Sequence, residues 1–166
     1  MKYSAKKLTT ISICVSLAMI LSFVESFVPV MLPGIKLGLA NSVTLFLLYT
    51  YGAGYGALVA LVRIFLSTLL FGAFPTALIF SFSGFVLSFA VMTLAKRFLP
   101  FGIVGVSVLG GVFHNLGQVI AACVVMETAE LALYFIPLLA SGTVAGVAVG
   151  VVSGLLLVRL QKVIKK

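Results

Sequence analysis

The sequence predicts an all-α integral membrane protein, a single domain of six transmembrane helices with both termini in the cytoplasm. Three observations predict it. Hydrophobic residues make up 63% of the 166 residues and charged residues 8%, with a mean hydropathy of +1.34. A water-soluble domain carries about 25% charged residues, so most of this surface has to face lipid. Basic residues gather at Lys2, Lys6 and Lys7, at Lys96 and Arg97, and at Arg159, Lys162, Lys165 and Lys166. Each group stands at the end of an apolar run, as the positive-inside rule requires. Finally, Gly and Pro breakers divide those runs into lengths suited to a bilayer.

The uncharged stretches are 8–24, 37–62, 64–95, 98–126 and 131–158. A helix needs about 20 residues to span, and an even number of spans must separate any two cytoplasmic basic groups. Four spans therefore lie between Lys7 and Lys96, and two between Arg97 and Arg159. Span one, 8–28, ends at Pro29 and at Pro33-Gly34, which form an outer loop. Span two, 37–51, is short and has to be tilted, broken or wedged between neighbours. Gly52, Gly54 and Gly56 make the inner turn after it. Span three, 54–71, ends at the outer turn Gly72-Ala73-Phe74-Pro75. Span four, 76–95, ends at Lys96-Arg97. Span five, 101–126, begins after Pro100 and leads to an outer loop with Glu127 and Glu130. Span six, 133–158, closes at Arg159.

No A-x-A-like cleavage site follows Leu21, and the rest of the chain is equally apolar, so an uncleaved first span is expected rather than a signal peptide. Cys14 and Cys123 fall near opposite faces of the bilayer and so do not form a bridge. The net charge of +8 is read as topology, with attraction to anionic membrane lipid. No nucleic-acid partner is implied.

Two sets of small residues bear on packing. Gly142, Gly146, Gly150 and Gly154 recur every fourth residue along span six, a groove that lets another backbone approach. Packing inside the bundle is the favoured reading, and docking of a partner helix the alternative. Ser12 and Ser16 form a weaker small-residue pair on the cytoplasmic half of span one, a candidate partner surface.

Polar residues are costly in lipid and mark functional sites. Glu25 lies at the outer end of span one, Lys36 and Asn41 at the outer end of span two, and Arg63 midway along span three. His114, Asn115 and Gln118 lie in the middle and outer half of span five, with His114 and Gln118 on one face. Together these seven define a candidate substrate pocket open to the outside. Taken singly, each has a bland reading: Glu25 neutralises Arg63 or Lys36, Lys36 snorkels, His114 is a satisfied core histidine. The excess of cations favours a ligand with acidic or acceptor groups, although Glu25 suits a cationic or donor group equally well.

The chain contains no aspartate. It also has no G-x-x-x-x-G-K-[ST] loop for ATP phosphates, and no acidic cluster for Mg²⁺. No catalytic residues, metal or cofactor are therefore expected, and energy has to come from a partner or a gradient.

Glu25-Ser26, the run Pro33-Gly34-Ile35-Lys36-Leu37-Gly38-Leu39-Ala40-Asn41, Arg63, and His114-Asn115-x-x-Gln118 resemble the Gx transporter family over nearly the whole chain. Its members are often labelled heptaprenyl diphosphate synthase component I. That family is similar to the substrate-binding S components of energy-coupling factor (ECF) importers. The resemblance implies a six-helix S-component-like bundle in the cytoplasmic membrane that captures a small vitamin-like, isoprenoid, quinone or flavin-related molecule on the outer side. It also implies a transmembrane coupling protein with two ATPase subunits as partner. Ser12 and Ser16 fall where S components usually carry an alanine-rich docking face. A prenyl diphosphate synthase of the ordinary kind holds Mg²⁺ with aspartate-rich motifs, so this chain would be at most a non-catalytic component of such an enzyme. The other alternative is a membrane subunit of a flavin- or quinone-linked extracytoplasmic electron-transfer system. The chain lacks paired histidines for haem and a cysteine cluster for iron–sulfur, so in such a system it would be an anchor or carrier site.

Overall fold

The computed structural model describes residues 5–27, 38–71 and 75–164. Among them the chain is all helical, with no strand. The helices are α1 (Ala5–Ser26), α2 (Asn41–Thr50), α3 (Ala53–Phe71), α4 (Thr76–Phe98), α5 (Ile103–Val125) and α6 (Phe135–Ile164), with a 3₁₀ turn at Ala129–Tyr134 leading into α6. Among the described residues five segments are long and apolar enough to cross a membrane: Lys7–Ser26, Ala53–Phe71, Thr76–Phe98, Ile103–Val125 and Ala129–Arg159. Large apolar side chains such as Ile13, Phe65, Val86, Leu94, Val144 and Leu155 stand exposed on these helices. A surface of that kind has lipid as its solvent, and the chain is a multi-pass membrane protein.

The expected second span, 37–51, contains a helix of only 10 residues. At 1.5 Å per residue such a helix reaches about 15 Å, half the ~30 Å hydrocarbon core. It is wedged in place by burial: all seven residues 42–48 are buried, which is the mark of a helix surrounded by others. Val43, Phe46 and Leu47 pack with Cys14 and Ala18 of α1 and Val59 of α3. Leu45 and Leu48 pack with Met92 and Ala95 of α4, Val106 of α5 and Val149 of α6. The remaining helices thus enclose α2 as a central peg.

Both ends of that peg need partners for backbone groups that no intrahelical bond satisfies. At its C-terminus the N–H groups of Tyr51 and Gly52 donate to Leu47 O at 2.8 and 3.1 Å. Gly52 takes φ +93° to do so, a conformation open to glycine. Lys96, from the end of α4, donates Nζ to Leu48 O at 2.7 Å and lies 4.8 Å from the Tyr49 ring centroid. Read in sequence as a topology signal, Lys96 also caps α2 with the charge sign that a helix C-terminus favours. In the body of the helix, Ser153 of α6 donates Oγ to Ser42 O at 3.1 Å.

α5 packs most extensively, between α4 and α6. The α6 glycines face it. A Cβ on Gly146 would stand 2.6 Å from Val108 Cα, and one on Gly150 2.7 Å from Val104 Cα. Gly111 of α5 meets the Gly142 carbonyl in the same seam. Gly154 is less constrained, since its Cβ would be 3.4 Å from a single Ile103 methyl. Cys14 is buried, Cys123 half-buried, and both are free.

Lys96→Met should remove the cap on α2 and lower stability by about 1 kcal/mol, read as a lower unfolding midpoint in detergent. Lys96→Arg, which keeps charge and donors, should retain most of it. Equal midpoints for wild type and Lys96→Met would mean the Leu48 contact contributes nothing.

Candidate functional site

The sequence-predicted polar residues fall into two groups, set by which helix each side chain meets. The first forms where α1 ends, α2 begins and α3 passes its midpoint. Gly38, Leu39 and Ala40 make a turn in which Asn41 N–H donates to Gly38 O at 2.8 Å and Ser42 N–H to Leu39 O at 3.0 Å. Gly38 takes φ +81°, and a Cβ there would press on Asn41 Nδ2 at 3.0 Å. The turn therefore needs glycine on both counts. It brings Leu39 N–H to the Glu25 carboxylate, which accepts it at 2.5 Å. Glu25 is buried, and its charge acts on Arg63 of α3. Arg63 donates Nη2 to Asn41 Oδ1 at 3.1 Å. Its Nε is also buried and finds no hydrogen-bond partner among the described residues. Lys36 lies outside the described residues.

The second group belongs to α5. His114 is buried with its ring against Gly84 of α4, where a Cβ would come within 2.9 Å of the ring and of the His114 carbonyl. Asn115, next in sequence, turns the other way and donates Nδ2 to Leu138 O of α6 at 2.8 Å. Gly142 makes room for it, since a Cβ there would be 2.8 Å from Nδ2. Gln118 is buried one turn beyond His114. The two hydrogen bonds, Leu39 to Glu25 and Arg63 to Asn41, thus meet at the turn before α2, while His114 and Asn115 sit in the α4–α5 and α5–α6 seams.

Between the α2 N-terminus and helices α4, α5 and α6 lies a cavity of about 20 Å³, lined by Gly38, Asn41, Ser88, Ser107, Gly110 and Gly146 among others. That is room for about one water. Asn41 is the one sequence-predicted pocket residue among those that line it. Ser88 and Ser107 went unread. Ser88 donates Oγ to Gly110 O at 2.8 Å, and Ser83 likewise bridges to Gly117 O at 3.0 Å. Their signal was present: Ser81, Gly84 and Ser88 form a small and polar stripe at helical spacing on the buried side of α4, as do Ser107, Gly110, His114 and Gly117 on α5. Among the described residues no group of His, Cys, Asp and Glu is placed to hold a metal.

Ser12 and Ser16 are exposed on α1, with Ser16 Oγ bonded back to Ser12 O at 3.1 Å. They are surface residues and take no part in either polar group.

A family model described as heptaprenyl diphosphate synthase component I matches residues 14–156. No curated protein and no solved structure matches the chain.

Gly84→Ala tests the seam that holds His114. The imidazole can swing aside, but the His114 carbonyl, 2.9 Å from the new methyl, moves only with its helix. A loss of about 1–3 kcal/mol and a shifted His114 imidazole NMR resonance are expected. An unchanged resonance with unchanged stability would show that α4 and α5 are not in contact there.

Proposed function

The chain belongs to the heptaprenyl diphosphate synthase component I family, and on that footing we propose that it is the substrate-binding membrane subunit of an importer of the energy-coupling factor type. In this reading it has no catalytic activity of its own and binds a small vitamin-like or isoprenoid-, quinone- or flavin-related molecule. The observation that carries the proposal is the cluster at the N-terminus of α2, where buried Glu25 and Arg63 bond to Leu39 and to half-buried Asn41. Ionisable groups inside a membrane protein are expensive and mark ligand or ion sites. Helices that begin within the membrane are a recurrent way of building such sites. The sequence offers no nucleotide-binding loop and no aspartate, so a subunit of this kind draws its energy from separate ATPases through a transmembrane coupling protein.

Its topology in this reading has six passes in the plasma membrane with both termini inside, α2 counting as the second. The C-terminus of α2 then lies beside cytoplasmic Lys96, and the Glu25–Arg63 cluster lies in the outer half. His114, Asn115 and Gln118 of α5 are the further candidate residues for the site in this reading. Ser12 and Ser16 lie on the surface offered to the coupling protein.

The family's description supports a second reading, in which the chain associates with other components of a heptaprenyl diphosphate synthase. Without aspartate it cannot supply the aspartate-rich Mg²⁺–diphosphate centre, so here too its role is non-catalytic.

Topology is checked by single-cysteine labelling after replacement of Cys14 and Cys123. Arg97→Cys should react only from the cytoplasm and Thr128→Cys from outside, and the reverse pattern at either position rules out six passes with both ends inside. For function, co-expression with a coupling protein and two ATPases should yield a stable complex and ATP-dependent ligand uptake. Co-purification instead with a prenyl diphosphate synthase subunit would favour the second reading, and condensation of prenyl diphosphates by the chain alone would overturn both.

A further inference from the structure

The N-terminus of α2 opens inside the bundle. The residues that follow it are buried on every side, and Asn41, its first residue, lines the central cavity. The positive end of the helix dipole makes such a terminus attractive to anions, and the turn before it already donates its Leu39 N–H to a carboxylate. Arg63 is aimed at the same place. Its side chain is only 5% exposed, Nη2 reaches Asn41 Oδ1 at 3.1 Å, and buried Nε has no hydrogen-bond partner among the described residues. A buried donor left unmet is costly, and the planar guanidinium fork matches the paired oxygens of a carboxylate or phosphate. Glu25 demonstrates the preference from within the chain, because its carboxylate already takes the Leu39 N–H at 2.5 Å.

We propose that the turn leading into α2, Asn41 and Arg63 form the recognition end of the ligand site and take an oxyanion, a carboxylate or a phosphate, with Glu25, which already holds the Leu39 N–H, as the internal competitor. The inference rests on the binding-subunit reading and names its ligand chemistry. Exchange of the Glu25 carboxylate for a ligand oxyanion keeps an anion beside Arg63, so neither state leaves that cation unpaired in the membrane. The rest of the ligand lies towards the Ser88 and Ser107 hydroxyls. The present cavity of about 20 Å³ holds about one water, so binding has to part α2 from α4 and α5.

The test uses the full chain in phosphatidylcholine nanodiscs, titrated with inorganic phosphate and with acetate at constant ionic strength, chloride serving as control. Glu25→Gln removes the competitor and should bind one of the two oxyanions about ten-fold more tightly than wild type, measured by calorimetry and thermal shift. In that background Arg63→Lys, which keeps the charge but loses the fork, should reverse the gain. Should Glu25→Gln not fold, Glu25→Asp, which withdraws the carboxylate by one methylene, serves in its place with the same expected direction. No stabilisation of either variant beyond chloride, or a gain that survives Arg63→Lys, overturns the assignment.

Nanodiscs containing phosphatidylglycerol distinguish the sources of the oxyanion. Phosphate binding suppressed there identifies a lipid head group as occupant, and phosphate binding unchanged identifies a soluble ligand. The importer reading is judged separately, by co-purification of the wild-type chain with coupling subunits. Anion binding without that complex faults the importer, and the complex without Arg63-dependent anion binding faults only the oxyanion.

Discussion

A ten-residue helix enclosed by other membrane helices must satisfy its backbone ends without bulk water, and α2 does so with its flanking turns and with side chains from its neighbours. Glu25 of α1 accepts at the N-terminal turn, and Lys96 of α4 donates at the C-terminal end. The signs are those the helix dipole favours at each end. Ser153 of α6 adds a hydroxyl to the Ser42 carbonyl. The positions of α1, α4 and α6 are therefore coupled through the backbone of a helix too short to cross the bilayer alone. Removing water makes each of these bonds harder to replace than it would be in a soluble protein.

The same constraint concentrates polar chemistry at one place. A helix that starts inside the bundle presents a positive end there, and the chain answers with a carboxylate on α1 and a guanidinium on α3 bridged to α2 by Asn41. A structure that sought only stability would gain little from this arrangement, since hydrophobic replacement of buried charge is often neutral or stabilising. Retention of the charges is consistent with the proposed binding role, in which a ligand group exchanges with Glu25.

The other half of the bundle is organised by glycine. α5 lies against α6 through Gly142, Gly146 and Gly150, and against α4 through Gly84 and Gly117. Close backbone approach replaces the missing hydrophobic drive between helices in lipid. It also leaves room beside the backbone for His114 and Asn115. Hydroxyls of Ser83 and Ser88 bridge to carbonyls of α5. The two seams hold α5 firmly, while the small cavity separates it from the start of α2.

The membrane class, the helices of crossing length and the family were legible in sequence because each depends on local quantities. Apolar run length, basic residues at run ends and Gly or Pro breakers act within a few residues of themselves. The cost of charge in lipid likewise singled out Glu25 and Arg63 from their positions along the apolar runs. Partners were not legible. Lys96 meets a carbonyl 48 residues away, and Asn115 one 23 residues away, through contacts that no periodicity encodes. Adjacent His114 and Asn115 diverge to different helices because neighbours on a helix point about 100° apart. Which helix waits in each direction is decided by the bundle. Sequence by itself determined that this chain lives in lipid and which side chains are too polar to face it. Only the tertiary structure decided that α2 is a buried peg with Glu25 at its leading turn and Lys96 at its C-terminal end, because burial and capping depend on which helices surround it.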